Sequence, residues 1–458
     1  MRKNFLKLLF FVATLYMMGQ EAAAQIVQRW KIPGLVNTET IVRRWNLQYA
    51  VGYAKDPRGT NLFFLWDYNN IMPSSSLKTI PLPSGLVVHD FRILNDMVYF
   101  CGEDASQGIV GFFDLSTISF PGGTTINYVE LTPISGPYVT CAKRMDVFTY
   151  GGIKHIAFVG DLLSTSSGVP ITTTTVGDVY WDGTDWYVDY YVTNGDMIYT
   201  DIAASSGYVV AAAKEKNTSD CYVQVFNLSN DILTTPLIVT PFNTSFMYKL
   251  TGSTPVGEVR VEDISPTEFA VAFHYDDQGV VGTEVKQVII DPSVPAVDAP
   301  LTLKTPLGAS AYYTSACSVK QLCYNLITRR LFLLQDAVCN QYLPPSLESS
   351  ILWYDLANIG SGIADMSYMP GIAVDRMDVA ATGFFYTIGG SGGQVMLSLD
   401  YSYPAALCRT DLPVQYEVSD GLVVDMPHTD SNIGLYRAAN HPLWIPTSSD
   451  VCYFDCNE

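Results

Sequence analysis

The stretch TDIAASSGYVVAAAKEKNTSDCYVQVFNLS, residues 200–229, decides the fold of this 458-residue chain. It begins with an apolar segment that carries Asp201, continues with the apolar run YVVAAAK, and closes with a run that stops at Asn227. Such runs, bounded by Gly, Ser and Asp, are typical of short β-strands separated by turns. The stretch therefore predicts consecutive strands of one β-sheet.

Both ends of this stretch recur along the chain. A β-rich run that stops at an acid or an Asn occurs seven times, at Asp67, Asp114, Asp182, Asn227, Asp291, Asp355 and Asp400. The upstream landmark occurs six times, at Asp90, Asp146, Asp201, Asp263, Asn325 and Asp378. The mean spacing of about 55 residues suits a four-stranded blade. The shared phase of the two landmarks predicts an all-β fold, a seven-bladed β-propeller with the upstream landmarks on successive innermost strands.

Two of the copies carry a family resemblance. Residues 200–229 and the copy HDFRILNDMVYFCGEDASQGIVGFFDLS, residues 89–116, resemble the LVIVD repeats of extracytoplasmic β-propellers. The resemblance covers about a fifth of the chain and departs from the WD40 and Kelch patterns. It implies a propeller used for binding or scaffolding, and it carries no catalytic residues to transfer.

The two ends of the chain predict an export signal and the segment that completes the last blade. A basic start, a short apolar run and Ala22-Ala23-Ala24 predict a signal peptide over residues 1–24. No Cys lies near the cleavage site, so we expect an exported protein, periplasmic or extracellular, that is not a lipoprotein. The propeller is predicted over 25–411 and a C-terminal tail packed on it over 412–458. The tail, or instead the segment Ile26 to Val36, would complete the last blade.

The composition narrows the class of partner. The net charge of −19 argues against nucleic acid, because such a surface repels phosphate backbones, and it attracts cations. No later stretch is long and apolar enough to predict a membrane helix. The remaining partners are an extracellular protein or a glycan.

The upstream landmark residues have two readings. On innermost strands, Asp90, Asp146, Asp201, Asp263, Asn325 and Asp378 would line the central channel. The alternative, which we favour, is that each side chain ties down a neighbouring turn or backbone N–H. The residues that close the seven β-rich runs are interpreted as starters of turns.

A second set of acids follows the second strand of six copies. These are Asp56, Asp104, Asp161, Glu215, Asp276 and Asp336. The same hairpin of every blade emerges on the same side of a propeller, so the set predicts one face of negative potential. Plain solvation of loops also explains it. A hard cation such as Ca²⁺ would suit these oxygens, and a cationic partner would suit the same field.

Catalytic motifs are missing from the sequence. There is no nucleophile elbow, zinc-protease motif or phosphate loop. His274 beside Asp276 and Asp277 resembles part of a metal or acid/base cluster, although a filling role is commoner. A non-enzymatic binding or scaffold protein is therefore predicted. A polysaccharide-acting glycosidase or lyase is the alternative, and a structural part of a larger assembly is the third hypothesis.

The nine cysteines allow disulfides if the chain is exported. Proximity in sequence predicts that Cys408 pairs with Cys452 or Cys456. It also predicts that Cys317 or Cys323 pairs with Cys339. The odd count leaves at least one cysteine unpaired or linked between chains.

Overall fold

Second strands that are apolar on both faces set the architecture. In the strand Met97–Asp104, five consecutive residues from Val98 to Gly102 are buried. The strand Tyr208–Glu215 has the same pattern, with Val209 to Ala213 buried. Because alternate side chains point to opposite faces of a sheet, both faces of each sheet must be covered. A lone four-stranded sheet cannot do this, whereas a ring of stacked sheets can.

The computed structural model describes most of the strands and their hairpins. The described residues are 27–31, 43–46, 49–56, 58–67, 77–105, 107–117, 124–131, 138–164, 171–192, 196–218, 220–227, 245–250, 259–277, 280–291, 301–304, 319–326, 329–336, 349–355, 366–368, 374–379, 384–388, 394–398, 416–419 and 421–424. The predicted signal peptide and most of the predicted tail lie outside these residues.

The described residues form thirty strands and one 3-10 turn, Leu115–Thr117. The strands are β1 Val27–Lys31, β2 Arg43–Arg44, β3 Tyr49–Lys55, β4 Asn61–Asp67, β5 Leu77–Pro81, β6 Leu86–Leu94, β7 Met97–Asp104, β8 Gln107–Asp114, β9 Asn127–Glu130, β10 Tyr138–Tyr150, β11 Ile153–Ser164, β12 Ile171–Trp181, β13 Trp186–Val192, β14 Met197–Ser205, β15 Tyr208–Glu215, β16 Cys221–Asn227, β17 Ser245–Lys249, β18 Arg260–Ser265, β19 Glu268–Asp277, β20 Val280–Ile290, β21 Leu301–Lys304, β22 Val319–Asn325, β23 Arg330–Asp336, β24 Ser349–Asp355, β25 Met366–Tyr368, β26 Val374–Val379, β27 Phe384–Ile388, β28 Gln394–Ser398, β29 Tyr416–Ser419 and β30 Gly421–Val424. None of the described segments is a helix long and apolar enough to cross a bilayer.

The strands assemble into seven four-stranded antiparallel sheets and one hairpin, β29–β30. Six sheets take four consecutive strands each, from β2–β5 (blade 1) to β22–β25 (blade 6). Blade 7 combines β26, β27 and β28 with β1 as its outer strand. The pairing of β1 with β28 runs from Val27 opposite Ser398 to Lys31 opposite Gln394. The N-terminal segment, rather than the tail, therefore completes the last blade.

The first strands of the seven sheets form a closed ring. Each first strand contacts the first strand of the next sheet, from β2 and β6 through to β22 and β26, and β26 contacts β2. The described part of the chain is thus a β-propeller, and the predicted all-β fold class is confirmed. The first strand of each blade is innermost, as in the sequence-based expectation.

Apolar clusters between neighbouring blades form the core. The cluster between blades 1 and 2 is built around Phe63, whose ring centroid lies 5.5 Å from that of Phe91 at an interplanar angle of 88°. Phe63 also lies 5.0 Å from Phe113. Four further clusters join blades 2 and 3, 3 and 4, 4 and 5, and 5 and 6 in the same way. Among the described residues, blades 2 to 5 each pack against both neighbouring blades in this way.

Side chains on the first strands connect each blade to the next. The Asp90 carboxylate accepts a hydrogen bond from the Met145 N–H at 3.3 Å, and the Asp146 carboxylate accepts one from the Ala204 N–H at 2.8 Å. Asp201 accepts from Val261 N–H at 3.1 Å. These three aspartates therefore take the structural role that the sequence analysis favoured. We call these three residues, together with Glu262 and Gln321, the interblade latches.

Two latches fall on residues that the repeat pattern did not single out. Glu262 accepts from the Tyr324 N–H at 3.3 Å, and Gln321 accepts from the Met377 N–H at 3.0 Å. Gln321 also donates to the Met377 carbonyl at 2.9 Å, so its amide pairs with the neighbouring blade as a strand would. In blades 5 and 6 these hydrogen bonds are made one residue before Asp263 and four residues before Asn325.

Replacing Gln321 by Leu should destabilise the ring at the junction of blades 6 and 7. The substitution leaves the Met377 N–H buried without its acceptor, which costs about 1–3 kcal/mol of unfolding free energy, and it leaves the Met377 carbonyl with only the Cys323 thiol as donor. Urea unfolding followed by tryptophan fluorescence measures this loss. An unchanged midpoint with an unchanged slope would show that water or another group replaces the amide.

The described cysteines are free thiols. Cys101, Cys141, Cys221 and Cys323 are all buried. The Cys323 thiol lies 3.5 Å from the Met377 carbonyl, to which it donates, and this direction points it into the ring rather than to a loop. The predicted pairing of Cys323 with Cys339 is therefore wrong. The pairing of Cys317 with Cys339, and that of Cys408 with Cys452 or Cys456, lie outside the described residues.

Candidate functional site

The predicted hairpin acids sit at one end of the second strands. The second strand of every blade runs in the same direction relative to the ring, antiparallel to the first strand of its blade. The ends of the second strands that lead into the third strands therefore lie on one face. We call it the 2–3 face, and the opposite one the 1–2 face. Six acids lie at this end of the second strands. Five of them stand within one residue of the last residue of the strand, and the one in blade 3 lies three residues before the end of β11. They are Asp56, Asp104, Asp161, Glu215, Asp276 and Asp336.

Local contacts engage several of these acids. The Asp56 carboxylate accepts from the Arg58 and Thr60 N–H groups, both at 2.8 Å, and so closes its own turn. The Asp161 carboxylate lies 2.7 Å from the Lys143 ammonium. The Glu215 carboxylate accepts from the Thr218 hydroxyl at 2.6 Å. Each contact stabilises the fold without a ligand, and a binding role for the set stays a prediction. The side chains of Asp276, Asp336 and His274 lie outside the described residues.

The predicted channel residues all lie on first strands, but at two different depths. Asp90 lies opposite Cys101 and Asp201 opposite Ala212, well inside their strand pairs. Asp263 lies opposite Phe269 and Asn325 opposite Arg330, next to their hairpins. The landmark residues therefore do not occupy equivalent positions along the first strands, and that expectation is wrong. The physical reason is that the number of residues between the landmark and the end of its first strand differs among the blades. It is four for Asp90 and two for Asp263, whereas Asn325 ends its strand.

Two arginines fill the channel between these acids. The Arg43 guanidinium lies 3.3 Å from Asp90 and 3.8 Å from Asp378. Arg92, from blade 2, lies 3.3 Å from Asp146 of blade 3. These five side chains are largely buried, so the ring interior is an ion-pair network rather than an open acidic channel.

One of these contacts crosses the ring. Arg92 in blade 2 reaches Glu262 in blade 5 at 3.6 Å, although these blades are not neighbours. Their side chains are 18% and 15% exposed, so the pair is shielded from water. The pair holds together two sides of the propeller that share no sheet packing.

Burial makes the carboxylates of this network hard to ionise. It raises the pKa of Asp263 to about 7, with the nearby Asp146 carboxylate raising it further and Arg92 opposing the shift. It raises the pKa of Glu262 well above its usual range, against the attraction of Arg92. The pKa of Asp146 is also raised by burial. Between about pH 4 and about pH 7, Asp263 therefore holds a proton in the folded protein that an unfolded Asp has released.

A pocket of about 370 Å³ opens on the 1–2 face between blades 2 and 3. The hairpin of β12 and β13 supplies Tyr180, Trp181 and Trp186. Blade 2 supplies Tyr99 and Phe112, and the remaining lining residues are Gly152, Ile153, Lys154, Ile156, Asp182 and Gly183. We call this cavity the aromatic pocket.

The sequence Trp-Asp-Gly-Thr-Asp-Trp builds the rim of the pocket. The Asp182 carboxylate accepts from the Thr184 N–H at 2.8 Å and the Asp185 N–H at 2.9 Å. Gly183 has φ of 108°, a conformation that favours glycine. The turn brings Trp181 and Trp186 opposite each other, with ring centroids 5.4 Å apart. The Asp-Gly hairpin thus presents two indoles to one cavity.

A buried pair supports the pocket from below. The His155 Nδ1 lies 2.7 Å from the Asp178 carboxylate, and both side chains are almost fully buried. The His155 ring lies 4.9 Å from the ring of Tyr180 and stacks on Phe148 at 5.2 Å. This histidine therefore positions a pocket residue and does not face the ligand space.

The polar groups of the pocket favour binding over acid catalysis. Lys154 offers a donor, and Asp182 is the carboxylate among the lining residues. Hydrogen bonds from the Asp185 and Thr184 N–H groups lower the pKa of Asp182 to about 2. A carboxylate with so low a pKa stays ionised and donates no proton near neutral pH. Glycoside hydrolysis requires one carboxyl group that does.

Comparisons with known proteins assign the chain to no family. No family model matches it, and no curated protein does. It is similar to the WD40 domain of Toxoplasma gondii coronin, with TM-score 0.44 and 10% identity over 82% of this chain and 88% of that one. It is also similar to Drosophila plexin A, solved with semaphorin 1b, with TM-score 0.43 and 7% identity over 83% and 88%.

A third likeness is to apo prolyl oligopeptidase B from Galerina marginata. The TM-score is 0.47 and the identity 8%, over 84% of this chain and 50% of that one. The chain thus spans about half the length of the prolyl oligopeptidases it matches. Likenesses this distant say nothing about activity, so the function has to be argued from the pocket itself.

The sequence analysis did not predict the pocket, because Tyr99 and Phe112 come from the blade that precedes the Trp181–Trp186 hairpin. It also missed Arg43 and Arg92, although both lie on first strands among the landmark acids.

Proposed function

We propose that the protein is an exported, non-enzymatic binding module whose aromatic pocket takes a glycan. One observation carries the proposal: five aromatic rings surround a cavity whose volume lies within the range of about 300–1,000 Å³ typical of small-molecule sites. Indole and phenol rings bury the apolar faces of a sugar ring, while Lys154 and the rim of the turn meet its hydroxyl groups. The export signal predicted over residues 1–24 would place this pocket where glycans occur.

The alternative of a polysaccharide-acting enzyme has less support. Hydrolysis would need two carboxyl groups about 5–10 Å apart, one of them able to donate a proton. The described lining offers Asp182 alone, and its carboxylate is already committed to the turn. The pocket therefore favours recognition of a glycan over cleavage of one.

Replacing Trp181 by Ala should weaken glycan binding by at least about tenfold, because a tryptophan in a binding pocket contributes about 2 kcal/mol or more. A glycan array with the full chain identifies the ligand, and titration calorimetry compares the variants. Trp45→Ala is the matched control, since this half-buried tryptophan of blade 1 lies outside the pocket and bonds to Asp96.

Two outcomes would contradict the proposal. An array on which the folded protein retains no glycan removes the ligand class. Equal loss of affinity in Trp45→Ala and Trp181→Ala removes the pocket as the site. Release of reducing sugar from an array ligand would instead favour the enzyme.

A further inference from the structure

Three metal-binding side chains meet on the 2–3 face, at the junction of blades 2 and 3. His89 lies near the start of β6, Glu103 near the end of β7, and Cys141 near the start of β10. β6 and β7 are neighbours in blade 2, and β10 is the innermost strand of blade 3. The three residues are far apart in sequence, and only the ring brings them together. This junction is separate from the aromatic pocket, which opens on the 1–2 face.

The donor atoms are spaced as ligands of one ion would be. One donor atom from each residue lies within 4.8 Å of the other two. The His89 Nε2 and the Glu103 carboxylate are 3.6 Å apart, too far for a hydrogen bond. Tetrahedral ligands at zinc bond lengths stand about 3.3–3.7 Å apart. A small cation could therefore bind all three after minor rotations of the side chains.

An unsatisfied atom points into this cluster. The His89 Nε2 is buried and has no hydrogen-bond partner among the described residues. A buried polar atom without a partner destabilises the fold unless something occupies its lone pair or its hydrogen. It faces the Glu103 carboxylate, which is hydrogen-bonded to the Cys141 side chain, so a cation among the three would give His89 Nε2 a partner.

The surroundings of Cys141 also favour a cation. Its side chain lies in the field of Glu103 and Asp161, while Lys143 opposes them. Lys143 is held 2.7 Å from Asp161, which directs its charge toward that carboxylate.

We propose that His89, Glu103 and Cys141 bind a divalent transition-metal ion of the zinc class. Thiolate, imidazole and carboxylate together are ligands that zinc accepts, whereas calcium takes oxygen ligands alone. The site thus assigns to the 2–3 face a different cation from the Ca²⁺ that its acids alone suggest. Three protein ligands leave a fourth position for water, the arrangement of open zinc sites.

Cobalt substitution tests the site with a readout specific to its chemistry. The full-length protein is reduced with a phosphine, freed of metal by a chelator, and titrated with Co²⁺. We expect a thiolate-to-cobalt charge-transfer band in the near ultraviolet, together with visible bands as intense as those of tetrahedral cobalt. Zn²⁺ should displace the ion and abolish both, and millimolar Ca²⁺ should not.

Variants tie the signal to the three residues. Cys141→Ser should abolish the charge-transfer band, whereas Cys221→Ser, which removes another buried free thiol from blade 4, should retain it. His89→Ala changes a side chain that is 35% exposed and so keeps the fold. Losing an outer-shell partner of a metal ligand lowers metal affinity by about 10- to 100-fold. His89→Ala should lower the affinity for Co²⁺ by more than that.

The outcomes separate cleanly. No cobalt band in the reduced, folded protein overturns the proposal, as does a band that survives Cys141→Ser or an affinity that His89→Ala leaves unchanged. If Cys141→Ser fails to fold, the His89→Ala result decides. None of these results depends on glycan binding.

Discussion

Arg92→Met should lower the free energy of unfolding by about 3–5 kcal/mol at neutral pH. The substitution removes the positive partner of Asp146, at 3.3 Å, and of Glu262, at 3.6 Å. Both carboxylates would then be buried beside Asp263 without compensation, and the connection between blades 2 and 5 would be lost. Denaturant unfolding at pH 7.5, with the slope checked for two-state behaviour, measures the change.

Two companion variants identify the cause. Arg58→Met removes an exposed arginine of a blade 1 loop and should change stability by less than about 0.5 kcal/mol. The double variant Arg92→Met/Glu262→Gln should recover part of the loss, because it removes one of the stranded charges. Full stability in Arg92→Met would mean that the channel carboxylates are solvated and that the cross-ring pair contributes nothing.

The same network should make the protein less stable as pH rises from about 4 to about 8. Burial raises the pKa of Asp263 to about 7 in the folded state, whereas an unfolded Asp has a pKa of about 3.9. Between these values the folded protein holds a proton that the unfolded chain has released. The stabilisation is thus complete below about pH 4 and is lost as pH passes through 7.

Asp263→Asn isolates this contribution. The neutral amide cannot ionise, so the variant should gain about 2–4 kcal/mol relative to the parent between pH 4.5 and pH 8. Glu130→Gln, on an exposed position of β9, is the control and should track the parent throughout. Chemical unfolding at half-unit steps of pH provides the curves. Parallel curves for parent and Asp263→Asn would show that Asp263 is ionised in the folded protein across this range.

The sequence predicted the features that local residue patterns encode, namely the strands and the turns between them. The residues that close the third strands act in turns as expected: Asp114 accepts from the Ser116 N–H and Asp182 from the Thr184 N–H. Each landmark acid or Asn falls on a first strand because the strand and its hairpin are encoded within a dozen residues. The apolar second strands likewise indicated sheets buried on both faces.

What the sequence did not predict depends on register and on the ring. A register shift by one residue decides whether Glu262 or Asp263 reaches the next blade, and the two are adjacent in the sequence. Arg92 meets Glu262 only because the two intervening sheets, blades 3 and 4, continue the ring that brings blades 2 and 5 to face each other. The aromatic pocket and the His89–Glu103–Cys141 cluster each take residues from two blades, so no window of sequence contains them.

The use of β1 to complete blade 7 has a consequence for how the chain is made. Val27 and Ser398 pair although about 370 residues separate them, so this contact closes the longest loop among the described strand pairs. During synthesis β1 is made long before β28. Until β28 leaves the ribosome, the blades can form only an open arc with an uncovered sheet face at each end. The final stability arrives in one late step, and a truncation before residue 394 leaves an aggregation-prone arc rather than a smaller ring.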